Sequence, residues 1–176
     1  MTADSTAGVR LPATGTYRVD PEQSVVSYSG RHMFGLGTVR ATFTVRSREL
    51  GVADPASTST VAVVIDAASF HSNSARRDKD VTGKGLLNVE AYPDVTFVSD
   101  GLHEDGDRWL VAGRVTAHGN TVPVEVVVDD VHPEGDGIRL HAHADHLDRH
   151  AFGITGSKGK VGRFLDLDLD VFASRA

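Results

Sequence analysis

Between Phe164 and Phe172 every second residue is apolar: Leu165, Leu167, Leu169 and Val171 alternate with Asp166, Asp168 and Asp170. A helix would scatter the three aspartates around its circumference. An extended strand gathers them on one face and the leucines on the other. The segment therefore reads as a strand with one wet and one dry side, and it needs neighbours to complete a sheet. The same period recurs twice more. Val39, Ala41, Phe43 and Val45 alternate with Arg40, Thr42, Thr44 and Arg46, and Ile138, Leu140, Ala142 and Ala144 alternate with Arg139, His141, His143 and Asp145.

Further strands are expected over residues 16–20, 24–32, 59–66, 94–99, 109–117 and 122–129. They are separated by turn chemistry such as Asp20-Pro21, Glu104-Asp105-Gly106-Asp107, His118-Gly119-Asn120 and Pro133-Glu134-Gly135-Asp136-Gly137. Eight or nine strands at hairpin spacing predict an all-β, antiparallel sandwich or barrel. The 18 glycines suit a strongly bent sheet. Residues 72–90 break the alternation and predict a short helical insertion, interrupted at Gly83 and Gly85. Residues 1–14 read as a flexible lead-in and 15–176 as one domain, as the length of 176 residues suits.

A closed sheet removes exposed strand edges. A barrel of about eight strands is wide enough to pack solid or to hold one small ligand. Aromatics are only 6% of the chain, and the inward positions are mostly Val, Ala, Leu and Gly. Side chains this small leave room for an apolar guest, each buried CH₂ of which contributes about 0.8 kcal/mol. A solid barrel is the alternative that composition leaves open.

The net charge of −6 argues against nucleic acid as a partner. The absence of cysteine excludes disulfides and thiolate chemistry. No apolar run reaches the roughly 18 residues of a spanning helix, so stable membrane insertion is not expected. The first eight residues lack a basic start and an apolar core, which predicts a cytoplasmic protein.

Several segments, taken in order, carry a family likeness. They are Tyr17-Arg18-Val19-Asp20-Pro21, Ser24-Val25-Val26-Ser27-Tyr28, Arg31-His32-Met33-Phe34-Gly35 and Val39-Arg40-Ala41-Thr42-Phe43. Ala68-Ser69-Phe70, Arg77-Asp78 and Tyr92-Pro93-Asp94-Val95-Thr96-Phe97 follow. Val111-Ala112-Gly113-Arg114-Val115-Thr116 leads into His118-Gly119, and Asp148-Arg149-His150-Ala151-Phe152-Gly153-Ile154 closes the series. From about Thr16 to Ala173 the chain resembles the YceI-like family of polyisoprenoid-binding proteins. It departs from the family pattern at Gln23, where a histidine is frequent, and at Thr42, where a glycine is expected before Phe43. The resemblance implies a lipocalin-like antiparallel β-barrel with a helical insertion and a long tunnel holding a polyprenyl or quinone-type lipid. It also implies a non-enzymatic carrier and a homodimer. No cofactor other than the bound lipid is expected.

Within that frame His32, Arg77 and Tyr28 are the candidates to meet a lipid headgroup. Arg77 has the guanidinium fork that suits phosphate or quinone oxygens, or alternatively pairs with a nearby acid to pin the insertion. Arg149 is expected to anchor a strand end, and Phe152 to plug one end of the barrel. Alternation nominates Val39, Phe43, Val63, Phe97, Val115, Val126, Leu140 and Leu167 as tunnel-lining residues. The sequence leaves two alternatives open. His141, His143, His146 and His150 lie within ten positions and offer imidazoles for zinc or nickel, in a metal-binding protein or metal-dependent enzyme; a solvated polar face is the simpler account. The third reading is a stress-related scaffold with a filled barrel. Hydrolase chemistry lacks a Gly-x-Ser-x-Gly elbow. Gly156-Ser157-Lys158-Gly159-Lys160 lacks phosphate-loop spacing and reads as a loop at the barrel mouth.

Overall fold

The computed structural model describes residues 9–32, 37–46, 49–157 and 161–176; the side chains of Arg31 and His32 lie outside the description. Ten strands are found among these residues: β1 (Gly15–Val19), β2 (Val25–His32), β3 (Gly37–Arg46), β4 (Glu49–Val52), β5 (Thr60–Asp66), β6 (Asp94–Asp105), β7 (Arg108–Ala117), β8 (Asn120–Glu134), β9 (Gly137–Asp148) and β10 (Val161–Arg175). One α-helix, α1 (Ala75–Thr82), lies between β5 and β6.

The strands form a closed antiparallel barrel of eight columns: β5-β3-β2-β10-β9-β8-β7-β6, with β6 returning to β5. The two extra strands extend two of these columns. β1 and β2 both run antiparallel to β10, with Val19 opposite Ala173 and Val25 opposite Asp170. They act as one long strand broken at Pro21. The break is stitched to Phe172, whose N–H donates to Ser24 Oγ at 3.0 Å while its carbonyl accepts from the Asp20 N–H at 2.8 Å. β3 and β4 divide β5 in the same way, with Val45 opposite Ile65 and Leu50 opposite Val61. β4 was not expected. Its four residues, Glu-Leu-Gly-Val, are too short to show a period.

The alternation does what it predicts. Along β10 the leucines turn inward and Asp166, Asp168 and Asp170 turn out. The β7–β8 hairpin closes on His118 and Gly119, with φ +52° and +75°. Positive φ at both central residues gives the turn whose twist matches the strands. Gly113 has a different purpose: the Phe97 ring lies across it, and a Cβ there would sit 2.5 Å from Phe97 Cζ and 2.6 Å from the Val98 carbonyl oxygen. One obstacle is backbone and cannot swing away. Gly113→Ala is therefore expected to cost about 2–3 kcal/mol, read as a lower urea midpoint.

Residues 9–14 are not a loose lead-in. The Val9 N–H donates to the Asp107 carbonyl at 2.8 Å, and the Val9 carbonyl accepts from Trp109 Nε1 at 3.0 Å, which ties this segment to the β6–β7 turn. Tyr17 Oη donates to the Ala13 carbonyl at 2.8 Å.

The barrel interior has two unlike halves. At the end where β10 finishes, two clusters fill it. Tyr17, Val19, Val45, Leu50 and Val171 pack in one, and Val111, Val128 and Ala142 in the other. At the end where β2 finishes and β10 begins, the walls pack against a cover made by Leu86 from the insertion and by Phe152 and Ile154 from the segment after β9.

Candidate functional site

Under that cover lies a cavity of about 630 Å³. Its floor and walls are Val26, Phe43, Ile65, Val95, Leu165 and Leu167; its rim carries polar groups from α1 and from the segment after β9. Six of the sequence candidates line it: Tyr28, Val39, Phe43, Arg77, Val115 and Leu167. Four do not. Val63, Phe97 and Leu140 pack beneath it in the filled half, and Val126 packs between the halves, against both the cover cluster and the filled one. Their inward direction follows from alternation, but depth along the barrel axis does not, and the long tunnel expected from the resemblance is here a chamber in one half. The side chain of His32 lies outside the described residues.

The cover is built by local chemistry. Ser74 caps α1 by accepting from the Arg77 N–H at 3.3 Å, and Gly83 ends it. Asp78 does not pair with Arg77, as the adjacent residues suggested. Its carboxylate takes the Ser72 N–H at 2.9 Å and the Ser72 hydroxyl at 2.6 Å, fixing the segment that enters the helix. Arg77 is thereby left facing the cavity, with no carboxylate in ion-pair range among the described residues.

The opposite side of the rim is held by Arg149, which is only 4% exposed. Its guanidinium donates to three carbonyls: Gly162 from Nε at 2.9 Å, Ile154 from Nη1 at 2.7 Å and Val161 from Nη2 at 3.0 Å. One side chain thus ties the start of β10 to the chain leaving the one-turn 3-10 helix Arg149–Phe152. Burial pushes the Arg149 guanidinium below its ordinary pKa, while Tyr28 and Asp148 pull it back up. Burial raises the Tyr28 phenol, and the Arg149 charge opposes this. Tyr28 lies over Gly30, which has no side chain to obstruct it, and meets Phe70 edge-on with ring centroids 5.7 Å apart.

Asp148 positions the turn that carries Arg149. It accepts from the His150 N–H at 3.0 Å and takes a two-pronged bond from Arg163, both prongs 2.9 Å. The Arg163 hydrogen bond holds the carboxyl at about 2, below the usual carboxylate range. A depressed folded pKa means the stabilisation is complete above about pH 4 and is lost as the pH falls through about 2. In an NMR titration, Arg163→Gln is expected to return the Asp148 carboxyl toward its ordinary value, and the acid-sensitive stabilisation should shrink with it.

The four histidines do not converge. His141 Nε2 pairs with Asp168 at 2.7 Å, and His143 Nδ1 with Asp129 at 2.6 Å. His146 sits within a bulge at φ +55° and stacks on Phe164, with centroids 4.0 Å apart. His150 belongs to the 3-10 turn. Among the described residues no three His, Asp or Glu side chains are placed to share a metal ion. His141 and His143, two apart on β9, are taken by different aspartates, and the bulge between Ala144 and Leu147 removes His146 from the face that sequence spacing implies.

A closed eight-column barrel, a helical cover between β5 and β6, and an apolar chamber beneath it make up the fold. The model of the YceI-like domain matches residues 17–173. The chain belongs to the YceI-like family. A UPF0312 protein of Pseudomonas putida is 37% identical over 119 residues, which is 64% of this chain and 61% of that protein. A UPF0312 protein of Yersinia pestis is 44% identical over 115 residues, 63% of this chain and 60% of that one. The matched stretch thus spans about three-fifths of the length of these curated relatives. Among solved structures, BcnA of Burkholderia cenocepacia superposes with a TM-score of 0.77 at 23% identity, covering 89% of this chain and 99% of BcnA. A polyisoprenoid binding domain from Saccharophagus degradans, implicated in plant cell wall breakdown, gives 0.65 at 11% identity, covering 93% and 100%. At these identities the structural likeness shows the fold. No described helix of this YceI-like chain is long and apolar enough to cross a membrane.

Proposed function

We propose that this YceI-like barrel carries an isoprenoid lipid, polyprenyl or quinone-type, without acting on it chemically. The observation behind this reading is the chamber itself: about 630 Å³, walled by Val, Leu, Ile and Phe, beneath a cover made from two separate segments. Protein interiors are ordinarily close-packed, so a void this large among apolar side chains favours an apolar occupant. The Saccharophagus domain of like fold supports the class of ligand. The polar groups at the rim suit recognition better than reaction. Arg149 donates to three carbonyls, and among the described residues no hydrogen bond joins a nucleophile to a base there. A cytoplasmic carrier assembled as a homodimer completes the proposal.

The test is native mass spectrometry of freshly purified protein, followed by solvent extraction. An isoprenoid bound near one per chain is the expected result. A protein that is empty as isolated and also refuses added polyprenyl lipids and quinones would sink the proposal.

A further inference from the structure

The rim of the chamber is charged in a way that apolar carriage does not require. Arg76, Arg77 and Arg149 line it, against the single carboxylate of Asp80, on a chain whose net charge is −6. Among the described residues none of these four side chains joins an ion pair. Arg149 is the most telling. It is 4% exposed, and among the described residues its three bonds all go to neutral carbonyls, which take three of its five N–H donors. Buried charges are ordinarily paired. Asp148, whose charge acts on Arg149, is itself taken up by a two-pronged bond from Arg163. A neutral lipid head would leave Arg149 with no counter-charge of its own, whereas a carboxylate or phosphate would supply one and accept the remaining donors in the geometry that a guanidinium favours.

The volume limits the other end of the ligand. A methylene group fills about the space of a water molecule, roughly 30 Å³, so the chamber takes about twenty such groups. Below it, Phe97 crosses Gly113, and the two lower clusters close the barrel. A longer tail has no room to continue downward.

We propose that the occupant is an anionic-headed amphiphile, a carboxylate or phosphate on a hydrocarbon of about twenty carbons, with its head drawn to Arg149 and Arg77 and its tail in the chamber. This rests on the carrier reading and sharpens it, since the head is charged and the tail short.

The experiment titrates delipidated full-length protein with geranylgeranyl phosphate, arachidic acid, geranylgeraniol and octaprenyl phosphate, each below its micellar concentration. Both short acids are expected to bind at least roughly tenfold tighter than the alcohol, as charge-assisted bonds allow. Whichever binds more tightly identifies the source of the acidic head. In Arg77→Gln the acid-to-alcohol affinity ratio is expected to fall about tenfold. Because it is a ratio, a general loosening of the cover cancels. Arg149→Gln, checked first for a cooperative melt, should lower the ratio as well. If alcohol and acids bind equally to the wild type, or if the ratio survives Arg77→Gln, the charged-head inference is overturned while the carrier reading stands. Markedly tighter binding of octaprenyl phosphate would overturn the length limit. Failure of all four to bind would overturn the carrier reading itself.

Discussion

Replacing Arg149 with methionine is expected to destabilise the ligand-free protein by about 3–5 kcal/mol, a large part of the roughly 5–15 kcal/mol that holds a domain of this size together. Methionine can occupy much of the volume, so lost packing contributes little. The cost arises at the carbonyls of Ile154, Val161 and Gly162, which lose their donors together. A buried acceptor left without a partner costs about 1–3 kcal/mol. Against that sum stands the relief of removing a desolvated charge, which brings the expectation down to the stated range. Arg163 provides the contrast. Its bond to Asp148 is as short as those of Arg149, but its side chain is 54% exposed and screened by water, so Arg163→Met should shift the urea midpoint far less than Arg149→Met. The measurement is a pair of urea titrations with unchanged slopes, the difference appearing in the midpoints. If Arg149→Met cost less than about 1 kcal/mol, water would be reaching the three carbonyls, and the rim would be wetter than the structure has it.

This pair also shows what sequence could and could not convey. Arg149 and Arg163 are both arginines near the start of the last long strand. Nothing local distinguishes the one buried under the cover from the one in water, because burial depends on how residues 149–157 fold back over the barrel end. The barrel was legible because its signal is local. Alternation in β3, β9 and β10 fixes which side chains face inward, and turn residues fix where strands end. The same local signal cannot report depth. Val115 and Val126 sit on inward faces of neighbouring strands and are chemically identical, yet the first lines the chamber and the second packs between the cover cluster and the filled one. Depth follows from register across several strands, and the bulges in β6, β8, β9 and β10 shift that register. The eight-column closure was hidden for a related reason. β1 with β2, and β3 with β4, read as separate strands, and only their shared partners β10 and β5 reveal them as broken halves of longer ones.

The unlike halves of the barrel predict opposite consequences for one kind of substitution. Val39 and Val115 line the chamber from strands β3 and β7, on separated walls. Changing both to Phe adds side-chain volume where no protein atoms lie, so the fold should change by no more than about 1 kcal/mol in either direction. The ligand pays instead. Each change introduces four more carbons, and the pair displaces about eight carbons of the occupant; at about 0.8 kcal/mol apiece this removes up to about 6 kcal/mol of binding. A tail that shifts or shortens recovers part of that, so a loss of about a hundredfold in affinity is the least to expect. Val128 is the control, since it is 5% exposed and belongs to a filled cluster with Val111 and Ala142. Val128→Phe forces the same ring into occupied space and should cost the fold about 2–3 kcal/mol, with any effect on ligand secondary to that loss. Thermal melts and lipid titrations of the two proteins side by side decide the matter. If the double variant still binds lipid as the wild type does, the ligand lies outside the chamber. If it unfolds as Val128→Phe does, the chamber is not open space when the protein is empty, and a lipid would have to create the room it occupies.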